Sequence, residues 1–237
     1  MTFQIGMVGS DGVLLASDTL CTHLHIADGA IRTGTTSNSP KIQIENAKGI
    51  AYCWSGDEFG RIAVATISDL FREGSRTDIR SFLRECGVQA VNRAGDQRSV
   101  NPTTPLSSCE VLVAIRSENN YMSLWSLRML NTVEHQFFPA VERVTTKAVT
   151  GDAVNSAVFF SENYFSRFCT LPIAELVPLA AHTVLMAGRL SSGVGGLQIV
   201  LCRGDGFTEL GSNEISAIEE QAANRDSAIA DSFRVRQ

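Results

Sequence analysis

Apolar residues cluster in short runs at residues 3–8 and 13–17, separated by Gly9-Ser10-Asp11-Gly12. Two runs of that length joined through Asp-Gly predict a β-hairpin. With the turn centred on Ser10-Asp11, the register sets Thr2 opposite Thr19, to within about one residue. Asp18 then stands at the far end of the second strand, beside the N-terminus. Residues 20–39 are polar and turn-rich, with a second small hairpin predicted around 25–31. The next alternation is Lys41-Ile42-Gln43-Ile44-Glu45, a turn at Asn46-Ala47-Lys48-Gly49, and then Ile50-Ala51-Tyr52-Cys53-Trp54.

The period changes at Ser55-Gly56-Asp57. Phe59, Ile62, Ala63, Thr66, Ile67, Leu70 and Phe71 form a helical stripe, and Ser55 or Asp57 can cap it. A second helix follows Asp78, with Ile79, Phe82, Leu83, Cys86, Ala90 and Val91 on one face. Residues 95–108 hold Pro, Ser, Thr and Asn and predict a loop. Strands are predicted at 110–116 and 121–127, with 135–141 and 145–149 extending the same sheet. Thr150-Gly151-Asp152 repeats the strand, small residue, helix pattern, and the helix covers about 153–168. Another helix spans 172–189, where Pro178 predicts a kink or a later start. A glycine-rich turn at 191–196, a strand at 197–202, a hairpin turn at Arg203-Gly204-Asp205-Gly206 and a final amphipathic helix at about 214–233 complete the chain. Hairpins grouped between helix pairs predict an α+β fold in one domain over 1–237. Its two antiparallel sheets would be stacked with helices outside both, a four-layer αββα sandwich.

Composition narrows the function classes. The chain has 237 residues, 44% of them hydrophobic and 19% charged, as expected of a soluble globular protein. A net charge of −5 argues against a nucleic-acid-binding surface. Six cysteines include no CxxC pair and no zinc spacing, and read as reduced thiols in a cytoplasmic protein. The N-terminus carries no export signal pattern, and no apolar run reaches the roughly 18 residues of a membrane span. His23 and His25 could share a strand face, but without a carboxylate or thiol nearby they read as surface residues rather than metal ligands. The glycine-rich turn lacks the ending of a phosphate loop. No metal and no cofactor is expected.

The candidate chemistry sits at the N-terminus. Removal of Met1 would leave Thr2 with a hydroxyl and a free α-amine, a nucleophile with its own base. An α-amine titrates near 8, and a nearby ammonium brings it closer to neutrality. Lys41 can supply that ammonium, and Asp18 can hold it. An Asp-Thr pair is also a common strand ending, so taken alone it does not separate the two readings. The backbone N–H of Gly56, at a strand-to-helix break, suits an oxyanion.

These features occur together in order: Thr2; the Asp11-Gly12 turn; Asp18 in Leu15-Ala16-Ser17-Asp18-Thr19; Lys41 in Lys41-Ile42-Gln43-Ile44; Ser55-Gly56; Thr150-Gly151-Asp152; and Asp205-Gly206. With them, the chain resembles a proteasome-type β subunit of the N-terminal nucleophile hydrolases, in the style of bacterial proteasome-like homologues. The resemblance covers about residues 2–210. It implies a threonine peptidase subunit of a ring or stacked rings, acting on peptides or unfolded proteins, with an ATPase partner left open. Its catalytic set would be Thr2, Asp18, Lys41, Gly56, Thr150 and Ser192, and Cys21, Thr22 and Trp54 would line the substrate cleft. A core role for Trp54 is the alternative. Three departures from the family pattern stand out. Ser191-Ser192-Gly193 lacks the expected acid, Thr150 stands where serine is usual, and the span from Asp18 to Lys41 is long. They leave two other readings open: a catalytically weak or inactive ring or scaffold subunit, or a hydrolase of small amides.

Overall fold

The computed structural model describes residues 2–27, 30–56, 58–100, 108–131, 137–151, 161–165 and 170–233. The leading hairpin is β1 (Phe3–Gly9) and β2 (Gly12–Ser17), in a register running from Gln4↔Ser17 to Gly9↔Gly12. Its turn residue Asp11 does more than reverse the chain. Its carboxylate accepts the Ile173 N–H at 2.7 Å and the Arg203 Nε at 3.2 Å, which ties the turn to two later segments. Partial burial works to raise this carboxyl, but those two donors outweigh it and hold Asp11 below its ordinary range.

The second hairpin is longer than the sequence predicts. β3 (Leu20–Ala27) and β4 (Ala30–Asn38) form a separate two-stranded sheet with a register shift between Thr22 and Leu24. β5 (Ile42–Glu45), β6 (Ile50–Ser55), β7 (Cys109–Arg116), β8 (Met122–Asn131) and β9 (Phe137–Val144) make a five-stranded antiparallel sheet in sequence order. β10 (Lys147–Gly151) does not extend that sheet as expected. It crosses to the first sheet and pairs with β1, giving the order β10-β1-β2-β11-β12 with β11 (Gln198–Arg203) and β12 (Gly206–Glu209). Local periodicity gives strands, but the choice of neighbour rests on contacts distant in sequence.

The helices are α1 (Glu58–Leu70), α2 (Ile79–Val100), α3 (Ile173–Leu190) and α4 (Ser212–Ser232), and residues 161–165 are also helical. α2 runs through residues 95–100, where a loop is expected. Gly95 in this extension has open space where a Cβ would sit. The remainder of that loop, 101–107, and most of the 153–168 helix lie outside the described residues. α3 passes through Pro178 without ending, although the proline lies inside the helix and gives up one backbone bond. By length and mean hydropathy of 1.3, α3 also reaches membrane-span dimensions, contrary to the sequence reading. Half of it is buried in the protein, with Ile173, Leu176, Val177, Ala180, Ala181, Val184 and Ala187 facing the first sheet's core.

Strand alternation divides the core. Phe3, Ile5 and Met7 of β1 pack with α3 residues and Ile199. Tyr52, Val111, Val113 and Leu127 pack with Phe59, Ile67, Phe82 and Leu83 of α1 and α2. The opposite strand faces meet in a third cluster of Val13, Leu15, Ala51, Cys53, Leu112, Ala114, Leu124 and Val200. The described residues thus form a mixed α/β fold with two five-stranded antiparallel sheets and one two-stranded sheet. The five described cysteines form no disulfide.

Candidate active site

The first sheet delivers Thr2 and Asp18, and the second delivers Lys41. Asp18 follows β2 directly, is fully buried, and accepts the Phe3 N–H at 2.8 Å. The Asp18 N–H in turn donates to the Phe3 carbonyl at 3.0 Å, so the β1–β2 pairing carries past the end of the hairpin. The same register, extended, opposes Thr2 to Thr19. Lys41 precedes β5 and follows Pro40. Its Nζ lies 2.7 Å from Asp18 Oδ2 and donates to Thr2 Oγ1 at 3.2 Å. Its side chain is 11% exposed and that of Asp18 0%. A buried ion pair of this kind costs desolvation, which the Phe3 N–H and the mutual attraction offset. The result is an ammonium fixed against a threonine hydroxyl.

Two small-residue breaks border this centre. β6 ends at Ser55, and Gly56 follows with φ +106°. β10 ends at Thr150-Gly151, where Gly151 has φ +100°. A Cβ on Gly151 would overlap the Thr2 carbonyl oxygen, so glycine there is a condition for the position of Thr2. The Thr150 hydroxyl is in close contact with the Ser55 hydroxyl, and both are buried. Glu110 joins them from β7 through a hydrogen bond with the Thr150 side chain, and Ser126 Oγ donates to Glu110 Oε1 at 2.6 Å. Burial pushes the Glu110 carboxyl up, against the lowering effect of these bonds and of Arg128. Gln4, whose backbone pairs with both Thr150 and Ser17, is fully buried with its side-chain amide atoms unpartnered.

The other candidates are distributed differently. Trp54 belongs to the β6 face that packs with α1 and lies against Gly60, opposite the face carrying Cys53 and Ser55. Alternation along the strand turns it to the helices, where it is half-buried. Cys21 is half-buried on β3, and the Thr22 side chain lies outside the described residues, as do those of His23 and His25. Ser192 is exposed in the turn after α3. Among the described residues it is not part of the hydrogen-bonded set around Thr2, because that turn meets Thr19 and Leu20 through the Gly195 carbonyl instead. Ser55, Glu110, Gly151 and Gln198 are absent from the sequence-based set. Ser55 and Gly151 adjoin residues in it, but Glu110 and Gln198 carry no local signal.

No protein-family model matches the chain, and no curated protein matches it. Solved structures do. The chain aligns with Anbu (ancestral beta-subunit) from Yersinia bercovieri at TM-score 0.64 and 14% identity, covering 99% of each chain. It aligns with the Anbu complex from Pseudomonas aeruginosa, described as a helical assembly, at TM-score 0.66 and 15% identity, covering 99% of this chain and 98% of that one. Anbu from Hyphomicrobium sp. strain MC1 gives TM-score 0.65 and 14% identity, with coverage of 99% and 98%. At these identities the likeness establishes the fold. It also corrects the resemblance drawn from sequence. The neighbours are Anbu proteins, proteasome-like relatives among the N-terminal nucleophile hydrolases, and a family distinct from the proteasome β subunit proper. Motifs that build a common site are shared across such relatives, so their order alone does not separate one family from the next.

Proposed function

We propose that this chain is a self-associating subunit of the Anbu-like, proteasome-related kind, whose Thr2 centre is an N-terminal-nucleophile amide hydrolase of low turnover. In this reading the chain is one domain, and its sheets and helices form a four-layer αββα sandwich. The observation that carries the chemistry is Lys41 Nζ within hydrogen-bond reach of both Thr2 Oγ1 and Asp18 Oδ2.

Once Met1 is removed, the Thr2 amine takes the proton of its own hydroxyl as Oγ1 attacks an amide carbonyl carbon. Lys41 stabilises the developing charge on Oγ1 and keeps the amine from holding a proton at neutral pH. The Gly56 N–H stabilises the oxyanion. The amine product leaves with the proton, Thr2 holds the acyl group as an ester, and water releases the acid. Low turnover is supported by two features. The Thr150 hydroxyl is engaged with Ser55 and Glu110, and Ser192 is exposed in a Ser191-Ser192-Gly193 string that contains no acid. The same features favour a second reading, a catalytically silent assembly subunit. Self-association is supported by the helical assembly of the Pseudomonas aeruginosa relative.

Intact mass and native size of the purified chain form the first test. The second is labelling with a peptide epoxyketone and turnover of peptide and small-amide substrates. The expected result is loss of Met1, a homo-oligomer, and one label on Thr2 that Thr2→Ala and Lys41→Ala both abolish. A Met1-free chain that takes no label supports the silent subunit and removes the enzymatic reading. A monomer removes the assembly.

A further inference from the structure

Thr2 and Asp18 flank strands of one sheet and Lys41 precedes a strand of the other, so the site exists only if the two sheets hold a fixed register at this edge. Ordinary strand pairing does not supply that register, because β5 is an edge strand bonded to β6 and Lys41 lies just before it. Gln198, the first residue of β11, supplies it. Its Oε1 accepts the N–H of Lys41 at 2.8 Å and the N–H of Ile42 at 2.8 Å. Its Nε2 donates to the Ile42 carbonyl at 3.2 Å and to Glu209 Oε1, on β12, at 2.8 Å. A carboxamide carries the acceptor and donors of a peptide group, so this side chain serves as a strand neighbour for the 41–42 backbone. The backbone of Gln198 pairs with Ser17, the residue before Asp18. One residue therefore locates both members of the ion pair, and it is 5% exposed.

We propose that Gln198 is a positioning residue for the Thr2 centre: it locks the backbone of Lys41 across the sheet interface, so that the ammonium stands between the Thr2 hydroxyl and Asp18. This deepens the reading of Thr2 as nucleophile and rests on it. Asparagine is too short to span the same gap. A glutamate at this position would accept both N–H groups but lose its donors and face the Glu209 carboxylate. Glu209 is itself exposed, so it orients the amide without sharing in the chemistry.

The test measures the rate of Thr2 acylation by a peptide epoxyketone against pH, in the Met1-free full chain. Gln198→Met keeps length and loses all four bonds. It should slow acylation by about 10²-fold, the scale of a misplacement of about 1 Å. It should also move the midpoint of the pH profile up toward the value near 8 of an unassisted α-amine, as the ammonium drifts away. The paired change Gln198→Glu with Glu209→Gln restores three of the four bonds with the donor reversed, and should return the rate to within about tenfold of wild type. Circular dichroism and Tm establish that each variant is folded. A folded Gln198→Met chain with the wild-type rate and pH midpoint overturns the inference, as does a paired variant no better than Gln198→Met. If the wild type itself takes no label, the Thr2 reading falls and this inference with it.

Discussion

The chain uses one local device twice, and the two copies end up with different duties. Ser55-Gly56 and Thr150-Gly151 are each a hydroxyl residue at the end of a strand followed by a glycine at φ near +100°. The hydroxyls meet each other. The glycines do not meet the same thing. Behind Gly56 stands Cβ of Cys109, 2.7 Å from where a Cβ would sit, whereas at Gly151 the Thr2 carbonyl oxygen lies only 1.9 Å from that position. Both neighbours are held by backbone, but the 108–109 strand end needs to give by only a few tenths of an ångström. At Gly151 the overlap is deeper, and what would have to move is the backbone of the candidate nucleophile. Two similar strings of sequence therefore differ in how tightly they are bound to the chemistry.

The largest break in that symmetry is expected at Gly151. Gly151→Ala forces a side chain into a positive-φ position and against a carbonyl, at a cost of about 3–5 kcal/mol. Urea unfolding should report that loss, and epoxyketone labelling of Thr2 should vanish even in whatever fraction remains folded. Lys41→Ala comes next. It leaves the Asp18 carboxylate buried without its cation, and should cost about 3 kcal/mol in the same measurement. Gly56→Ala strains the backbone similarly, but its overlap with Cys109 Cβ is shallower, so about 2 kcal/mol is expected.

The smallest effect concerns the acid behind the two hydroxyls. Burial raises the Glu110 carboxyl above its unfolded value, so the folded state favours the protonated form. The stability this provides is fully present below the ordinary glutamate range and is lost as pH rises through the raised value. Thermal unfolding of Glu110→Gln should therefore lack that slope, and its Tm should gain on the wild type as pH rises. Equal pH dependence in the two proteins would show that Glu110 titrates normally and is not part of a buried network with Ser55 and Thr150.

Much of this was legible in the chain because its causes are local. The Asp11-Gly12 turn and the alternation on either side fix a hairpin register, and the register brings Asp18 to the nucleophile end. The stripe from Phe59 to Phe71 and the strand at 50–54 follow from the same period rules. The strands that were misassigned or extended are those whose partners lie far away. β10 reads like its neighbour β9, yet it pairs with β1 because the candidate nucleophile strand offers it an edge. Trp54 reads from the sequence as either a cleft or a core residue, and alternation within β6 turns it to α1.

The sequence by itself determined the two antiparallel hairpin units, the amphipathic helices, and the three residue types that can activate a terminal threonine. Each depends on a few neighbouring residues and on periodicities that any reader can count. Tertiary structure alone decided that Lys41 from one sheet meets Asp18 and Thr2 from the other, that Gln198 bridges 157 positions of chain to hold Lys41 there, and that Glu110 lies behind Thr150. Those contacts are set by how two sheets stack, and stacking is a sum over many buried side chains that no single stretch of sequence displays.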